Sequence, residues 1–334
     1  MEKLRKTVYV ILSIIAVAVA IASILSLFRN TENRLLKMLD FPRIQFFITS
    51  VVSLILFVIM TKGYRWYDYL LVSSLVVGLG VNGSYLVNYT PLVAQAVPEA
   101  SGDYTAADEF DILLSNVKMT NRKSAPLLAL IEEKQADLVL VMEVNEWWDA
   151  ELKSIEATYP HVSKQINSVT YGMSLYSKFP FEEVKVNYLN NEKVPSLECI
   201  LKLENGRRLR FHGLHPVPPT WFSDLPDNEG QEEVAMKKLG RLVADRSYPT
   251  VVAGDFNDVV WSYTDELTGT EDMLHDVRVG RGFYNSYDAD NFLLRWPLDH
   301  VFVTEEFQLK SLERLRDVGS DHFPVYVELV LRGE

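Results

Sequence analysis

The sequence predicts a mixed α/β sandwich preceded by three membrane-spanning helices. Two observations predict it. Three long uncharged apolar runs occupy the first ninety residues. From Phe110 onward, short apolar runs of strand character alternate with segments of helical period, and a hairpin signal interrupts the alternation.

The membrane part comes first. Thr7–Phe28 is 22 residues without a charge, which as a helix spans roughly 33 Å, enough for a hydrocarbon core. Ile44–Thr61 is 18 uncharged residues, roughly 27 Å. A third run extends from Tyr69 to Tyr89 and contains Gly78, Gly80 and Gly83, which lipid tolerates and which allow close helix approach. The first run is longer than a signal-peptide core and further spans follow it, which speaks against cleavage. With the N-terminus inside, Lys3, Arg5, Lys6, Lys62 and Arg65 face the cytoplasm, against Arg29, Arg34, Lys37 and Arg43 outside. That one-charge difference leans toward an extracytoplasmic C-terminal domain. Residues 1–90 are thus expected to be an anchor.

Residues 91–107 carry two prolines and small polar residues without a period, and are expected to be a linker. Residues 108–334 are expected to form one compact domain. In order, strands are expected over Phe110–Val117 and Leu138–Glu143, with a helix over Ser124–Lys134 between them. A helix over Asp149–Thr158 precedes strands over Gly172–Ser177 and Glu183–Tyr188. Glu198–Leu203 and Arg208–Leu214 flank Glu204-Asn205-Gly206, an Asn-Gly hairpin signal. A helix over Glu232–Ala244 and strands over Thr250–Ala253, Leu298–Thr304 and Val325–Leu331 complete the set.

Charge divides the chain in the same way. Up to Pro98 lie nine of the 33 basic and four of the 45 acidic residues, which leaves 24 and 41 beyond, a net charge of −17. A broad basic face for nucleic acid is therefore not expected. Lys202, Arg207, Arg208 and Arg210 form the one dense basic cluster, read as a solvated hairpin edge. The single cysteine, Cys199, lies in an apolar-alternating run and reads as a buried strand residue.

Polar residues recur at the ends of the apolar strands: Asn116, Glu143, His215, Asp255 with Asn257, Asp299 with His300, and Ser320-Asp321-His322. Strand ends are where an α/β scaffold places a site. Asn, Glu and Asp are hard oxygen ligands suited to Mg²⁺, and no Cys/His cluster has zinc spacing. Asp299 sits inside an apolar run, where a carboxylate is costly unless paired. His300 and His212 fall on the opposite strand faces from Asp299 and His215; His300 reads as structural and His212 as a packing or surface residue.

The pieces SNVK, LVLVMEV, GLHPVPP, AGDFND, PLDHVFV and GSDHFPV, in that order, resemble the endonuclease/exonuclease/phosphatase superfamily. The resemblance implies a DNase I-like, four-layer α/β (α+β) sandwich with a metal-dependent phosphoesterase site. It implies Glu143 as the principal Mg²⁺ ligand, with Mn²⁺ as a substitute, assisted by Asn116 and completed by Asp321. Asp255 would orient or deprotonate the attacking water, Asn257 would hold the scissile phosphate, and His322, polarised by Asp299, would contact a phosphate oxygen. His215 aligns with a phosphate-proximal position. A three-span anchor before such a domain resembles a bacterial subgroup, which implies an inner or plasma membrane location. The loop Pro216–Gln231 departs from nuclease members: it holds Trp221 and Phe222 but three acids and no Lys or Arg. The expected partners are a phosphate ester and the bilayer. The substrate is expected to be a lipid or small molecule, with a nuclease or a silent binding module as alternatives, and no protein partner is inferred.

Overall fold

The computed structural model describes residues 2–29, 33–220, 222–227, 232–262, 269 and 272–332. The chain divides into two compact units, Met1–Val93 and Ala94–Glu334.

The first unit is helical: α1 (Glu2–Leu25), the short α2 (Arg34–Lys37), α3 (Arg43–Met60) and α4 (Trp66–Leu86). Among the described residues, three helices are long and apolar enough to cross a membrane, over Lys3–Leu25, Arg43–Met60 and Trp66–Tyr89. Their contacts use small and polar residues. A Cβ on Gly78 would come within 2.9 Å of Ser50 Oγ, so glycine lets α4 approach α3. Asn82 Nδ2 donates to Ser23 Oγ at 2.8 Å. Arg43 is buried, paired with Asp40 and placed 3.9 Å from the Tyr85 ring centroid.

The second unit contains β1 (Glu109–Asn116), α5 (Ala125–Lys134), β2 (Leu138–Met142), α6 (Glu146–Leu152), β3 (His161–Gln165), β4 (Met173–Ser177), β5 (Phe181–Asn187), β6 (Ser196–Lys202), β7 (Arg208–Leu214), α7 (Glu232–Ala244), β8 (Thr250–Asp255), β9 (His275–Asp276), β10 (Asp299–Val303), β11 (Phe307–Arg314) and β12 (Val325–Leu331). They make two mixed six-stranded sheets, ordered β11-β12-β1-β2-β4-β3 and β5-β6-β7-β8-β10-β9. Among these strands, β1–β2 and β7–β8 pair in parallel and the other neighbours are antiparallel. Period-two burial decides the layers. Ile112, Leu114, Leu140, Val251, Ala253 and Val301 join one core between the sheets. Their neighbours Leu113, Val139 and Val141 turn outward onto α5 and α6, and Val252 and Phe302 turn onto α7. Helix, sheet, sheet and helix follow one another, the four layers of a DNase I-like sandwich.

Three expectations shift. The segment expected as a linker over 91–107 is largely part of the second unit. Val97 is buried, Leu309 N–H donates to Pro98 O at 2.8 Å, and Ala100 N–H donates to Leu309 O at 2.8 Å. This stretch gains strand-type hydrogen bonds on the edge strand β11, which outweigh its weak local propensity. The helix expected at Asp149 starts at Glu146, capped by Asn145 accepting from Trp148 N–H at 3.0 Å, and closes as a 3-10 turn, Lys153–Ala157. The basic cluster is not a free edge: Arg210 pairs with Glu198 at 3.1 Å, Arg208 with Glu182, and Arg207 with Asp108 at 3.7 Å.

Candidate active site

Three site residues arise by continuation of strand phase. Asn116 follows Ile112 and Leu114, Asp255 follows Val251 and Ala253, and Asp299 precedes Val301 and Val303, all inward positions. They emerge at one end of the inter-sheet core. Asp255 and Asp299 are direct partners across the antiparallel β8–β10 pair. Two carboxylates so placed repel unless a cation lies between them. His322 supplies it: its Nδ1–H donates to Asp299 Oδ2 at 2.8 Å, and its Nε2 lies 3.4 Å from Asp255 Oδ2. Burial alone would push this imidazole down, but Asp255 and Asp299 outweigh it and hold it up at about 10. It is therefore an imidazolium at neutral pH.

On the other side of Asp255 stands Asn116. Its Nδ2 donates to Asp255 Oδ2 at 2.9 Å and to Glu143 Oε1 at 3.1 Å, while its Oδ1 accepts from Lys118 N–H at 3.0 Å. Glu143 has φ 63, a left-handed backbone uncommon for a residue with a side chain. That turn swings it out of the β2 alternation toward Asn116. Met119 N–H donates to its Oε2 at 2.9 Å. Burial raises the Glu143 carboxyl and these two donors oppose the rise. Burial raises Asp255 too, opposed by His322. Gly254 makes the approach feasible. Its φ is +148, and a Cβ there would sit 1.9 Å from Leu214 O.

The remaining expected residues stand around this chain. His215 is buried, its Nε2 3.7 Å from Asp255 Oδ2 and its ring 5.1 Å from Tyr171. Burial lowers it to about 4, so it is neutral. Asn257, at φ 53, donates its N–H to Asp255 Oδ1 at 2.8 Å and its Nδ2 to Pro216 O at 2.9 Å. Asp321 stands apart from this chain of hydrogen bonds and ion pairs and pairs with Lys118 at 3.1 Å. His300 lies on the outer face, as its phase predicts, bonded to Asp258 O at 2.8 Å and stacked on Phe256. His212 is buried on that face, and Cys199 is buried in the core. Trp221 lies outside the described residues, and Phe222 is exposed.

Lys118, Tyr171, Tyr287 and Ser286 escaped sequence reasoning. Tyr287 rests on His322 at 4.9 Å between centroids, and Ser286 Oγ accepts from Asp299 N–H at 3.2 Å. They come from loops, and only Lys118 carries a signal, its place two residues beyond Asn116.

The donor set fits a metal ion. Among the described residues, the side chains of Glu143, Asp255, Asp299 and Asp321 gather four carboxyl groups around the ion-pair partners His322 and Lys118, in a largely buried site. Buried charge of this kind is paired or binds metal. Asp255, Asp299 and His322 place candidate ligand atoms within 4.8 Å of one another, but the charged His322 is engaged by the two carboxylates, which leaves their oxygens as the donors. This group differs from the expected trio of Glu143, Asn116 and Asp321. Asn116 turns its amino end to two carboxylates, which electrostatics requires, and its oxygen is engaged by Lys118.

The sequence matches the Endonuclease/Exonuclease/phosphatase family over residues 113–322, more than half of the chain, and the protein belongs to that family of phosphoesterase-type hydrolases. No curated protein matches it in sequence. Its fold is similar to that of D. rerio TDP2 complexed with single strand DNA product, at 16% identity, 66% of this chain, 98% of that chain and a TM-score of 0.54. It is also similar to an endonuclease/exonuclease/phosphatase from Beutenbergia cavernae, at 18% identity, 68% and 72% coverage and a TM-score of 0.52. A family protein from Bacteroides thetaiotaomicron gives 18%, 67% and 98%, and 0.50. At such identities the likeness is one of fold.

Proposed function

We propose that the protein is a membrane-anchored, Mg²⁺-dependent phosphoesterase that hydrolyses a lipid or small-molecule phosphoester. One observation carries the reading: the unbroken chain Glu143–Asn116–Asp255–His322–Asp299, which joins both sheets at one end of the core. Glu143, with Asp321 nearby, would hold the ion, and Asn116 would position Glu143 against Asp255. A divalent ion there supplies positive charge opposite the non-bridging phosphoryl oxygens.

The chain's own groups do the rest. Asp255 accepts the proton of the attacking water. Its Oδ1 is fixed by Asn257 N–H and its Oδ2 by Asn116, so the carboxylate is oriented before substrate arrives. His322 is kept charged by Asp299 and offers Nε2–H to an oxygen that gains negative charge. The Asn257 amide uses one N–H on Pro216 O and keeps its second for the phosphate. Neutral His215 stands 3.7 Å from Asp255, with Tyr171 packed on its ring. The ion-paired state of Arg207, Arg208 and Arg210 favours a compact substrate over a long polyanion. By the one-charge bias of the flanking loops, the domain lies outside the cytoplasm.

The test is a metal-supplemented panel of oligonucleotides, phospholipids and sugar phosphates, with Asp255→Ala beside the full-length wild type. Mg²⁺-dependent turnover of phospholipids or sugar phosphates, absent from the variant, is expected. Turnover confined to oligonucleotides would overturn the substrate assignment, and no turnover at all would overturn the enzyme. A reporter at the C-terminus is expected to be active outside the cytoplasm.

A further inference from the structure

The loop that supports His322 has a second face. Residues 287–296 form a tight hairpin. Tyr287 and Trp296 bond each other through their backbones and stack at 6.3 Å. Asp288 N–H donates to Leu294 O at 3.3 Å, and Asn291 Oδ1 accepts from Leu293 N–H at 3.1 Å. Arg295 donates from Nε to Asp288 O and from Nη2 to Ala289 O, both at 3.0 Å. The turn is thus held by its own hydrogen bonds. Yet its tip presents Phe292, Leu293 and Leu294, which are 81%, 73% and 46% exposed. Single exposed apolar side chains are ordinary, but a run of three on an ordered turn is an interaction surface. Among the described residues of this unit no other consecutive run of large apolar side chains is exposed.

The base of the same hairpin belongs to the site, since Tyr287 packs on His322. Among the described residues the chain also carries three helices long and apolar enough to cross a membrane, which makes a bilayer the apolar phase available to the hairpin. We propose that this hairpin seats Phe292 and Leu293 in the bilayer surface, and that the pocket at its base takes its phosphoester from a lipid headgroup there. The second half rests on the phosphoesterase reading; the first does not. Asp288 and Asp290 against Arg295 leave the hairpin with a net charge of −1, so seating draws nothing from anionic lipid and is not weakened by salt.

The test separates the two halves. Cys199 is buried and is the only cysteine, so Phe292→Cys gives one accessible thiol for a polarity-sensitive dye. The labelled full-length protein is reconstituted into phosphatidylcholine–phosphatidylglycerol vesicles with and without brominated lipid. Quenching by brominated lipid at low and high salt is expected. A dye that stays in water overturns the proposal. So does a blue shift that follows protein-to-lipid ratio without quenching, because it marks a second copy on the tip. In parallel, Phe292→Ser/Leu293→Ser is assayed with Mg²⁺ on vesicle phospholipid and on a soluble aryl phosphodiester. Loss of about tenfold or more on the lipid, with the soluble ester unchanged, is expected. Wild type that cleaves the soluble ester but never the lipid overturns the headgroup assignment. Wild type that cleaves neither overturns the phosphoesterase reading, and quenching alone then decides the seating.

Discussion

The two units treat the same side chains in opposite ways. In Met1–Val93 the large aliphatics Ile14, Ile21, Val52 and Ile59 point outward, while Ser23, Ser50, Asn82 and Arg43 are inside. In Ala94–Glu334 the aliphatics Ile112, Leu140 and Val251 fill the interior. The first arrangement suits lipid, where apolar burial drives little and polar contacts join helices. The second suits water, where apolar burial is the main stabilising term. Buried polar groups consequently mean different things. In the first unit they join helices. In the second they are expensive exceptions, gathered where Asp255, His322 and Asp299 meet. At its Phe292–Leu293 tip the second unit, like the first, exposes large apolar side chains.

The sharpest way to break this contrast is to remove one buried polar group from each unit. Asp255→Ala is expected to lower phosphoester hydrolysis by about three orders of magnitude or more. Asn82→Ala is expected to leave turnover per folded molecule within about twofold, because its amide bonds Ser23 and Gly78 of the helical unit. Equal losses would show that the two networks serve one purpose. Next in size, Leu140→Ala opens a cavity between the sheets and should cost about 3 kcal/mol in thermal unfolding of the second unit. Val52→Lys, on the outward face of α3, should reduce membrane insertion by about 3 kcal/mol, read by alkaline extraction. Indifference to this lysine would mean that the face meets water.

A pH series sharpens the site itself. His322 is raised in the folded protein, so its contribution to stability is fully present below its unfolded value of about 6.5. That contribution is lost as pH rises through about 10. The margin in melting temperature of wild type over His322→Gln should therefore shrink steadily across that interval. A margin that grows with pH would mean a neutral imidazole. The smallest effect belongs to Phe292→Ser, which should change thermal stability by no more than about 0.5 kcal/mol, since the side chain packs on little of its own unit.

Much of this was legible in the sequence for identifiable reasons. Strands buried on both faces, such as β2 and β8, announce themselves as unbroken apolar runs. The half-buried β3 and the edge strand β11 do not, because HVSKQ and FQLKSLER carry charges wherever one face meets water. Asn116, Asp255 and Asp299 could be found because they extend a strand's inward phase. Tyr287 and Ser286 could not, since their role depends on a loop folding back over His322. The meeting of Asp255 with Asp299 across two strands is a fact of register, and no local pattern encodes it. Nor does composition reveal that Arg207, Arg208 and Arg210 are each paired with a carboxylate.

The most direct measurement is hydrolysis of a soluble phosphodiester by the full-length protein after chelation and stepwise return of Mg²⁺, with Glu143→Ala beside it. Activity should vanish with the chelator and return with Mg²⁺ in wild type, and Glu143→Ala should stay inactive at the concentrations that restore wild type. Undiminished turnover in chelator, or equal recovery by Glu143→Ala, would contradict a metal held at this cluster.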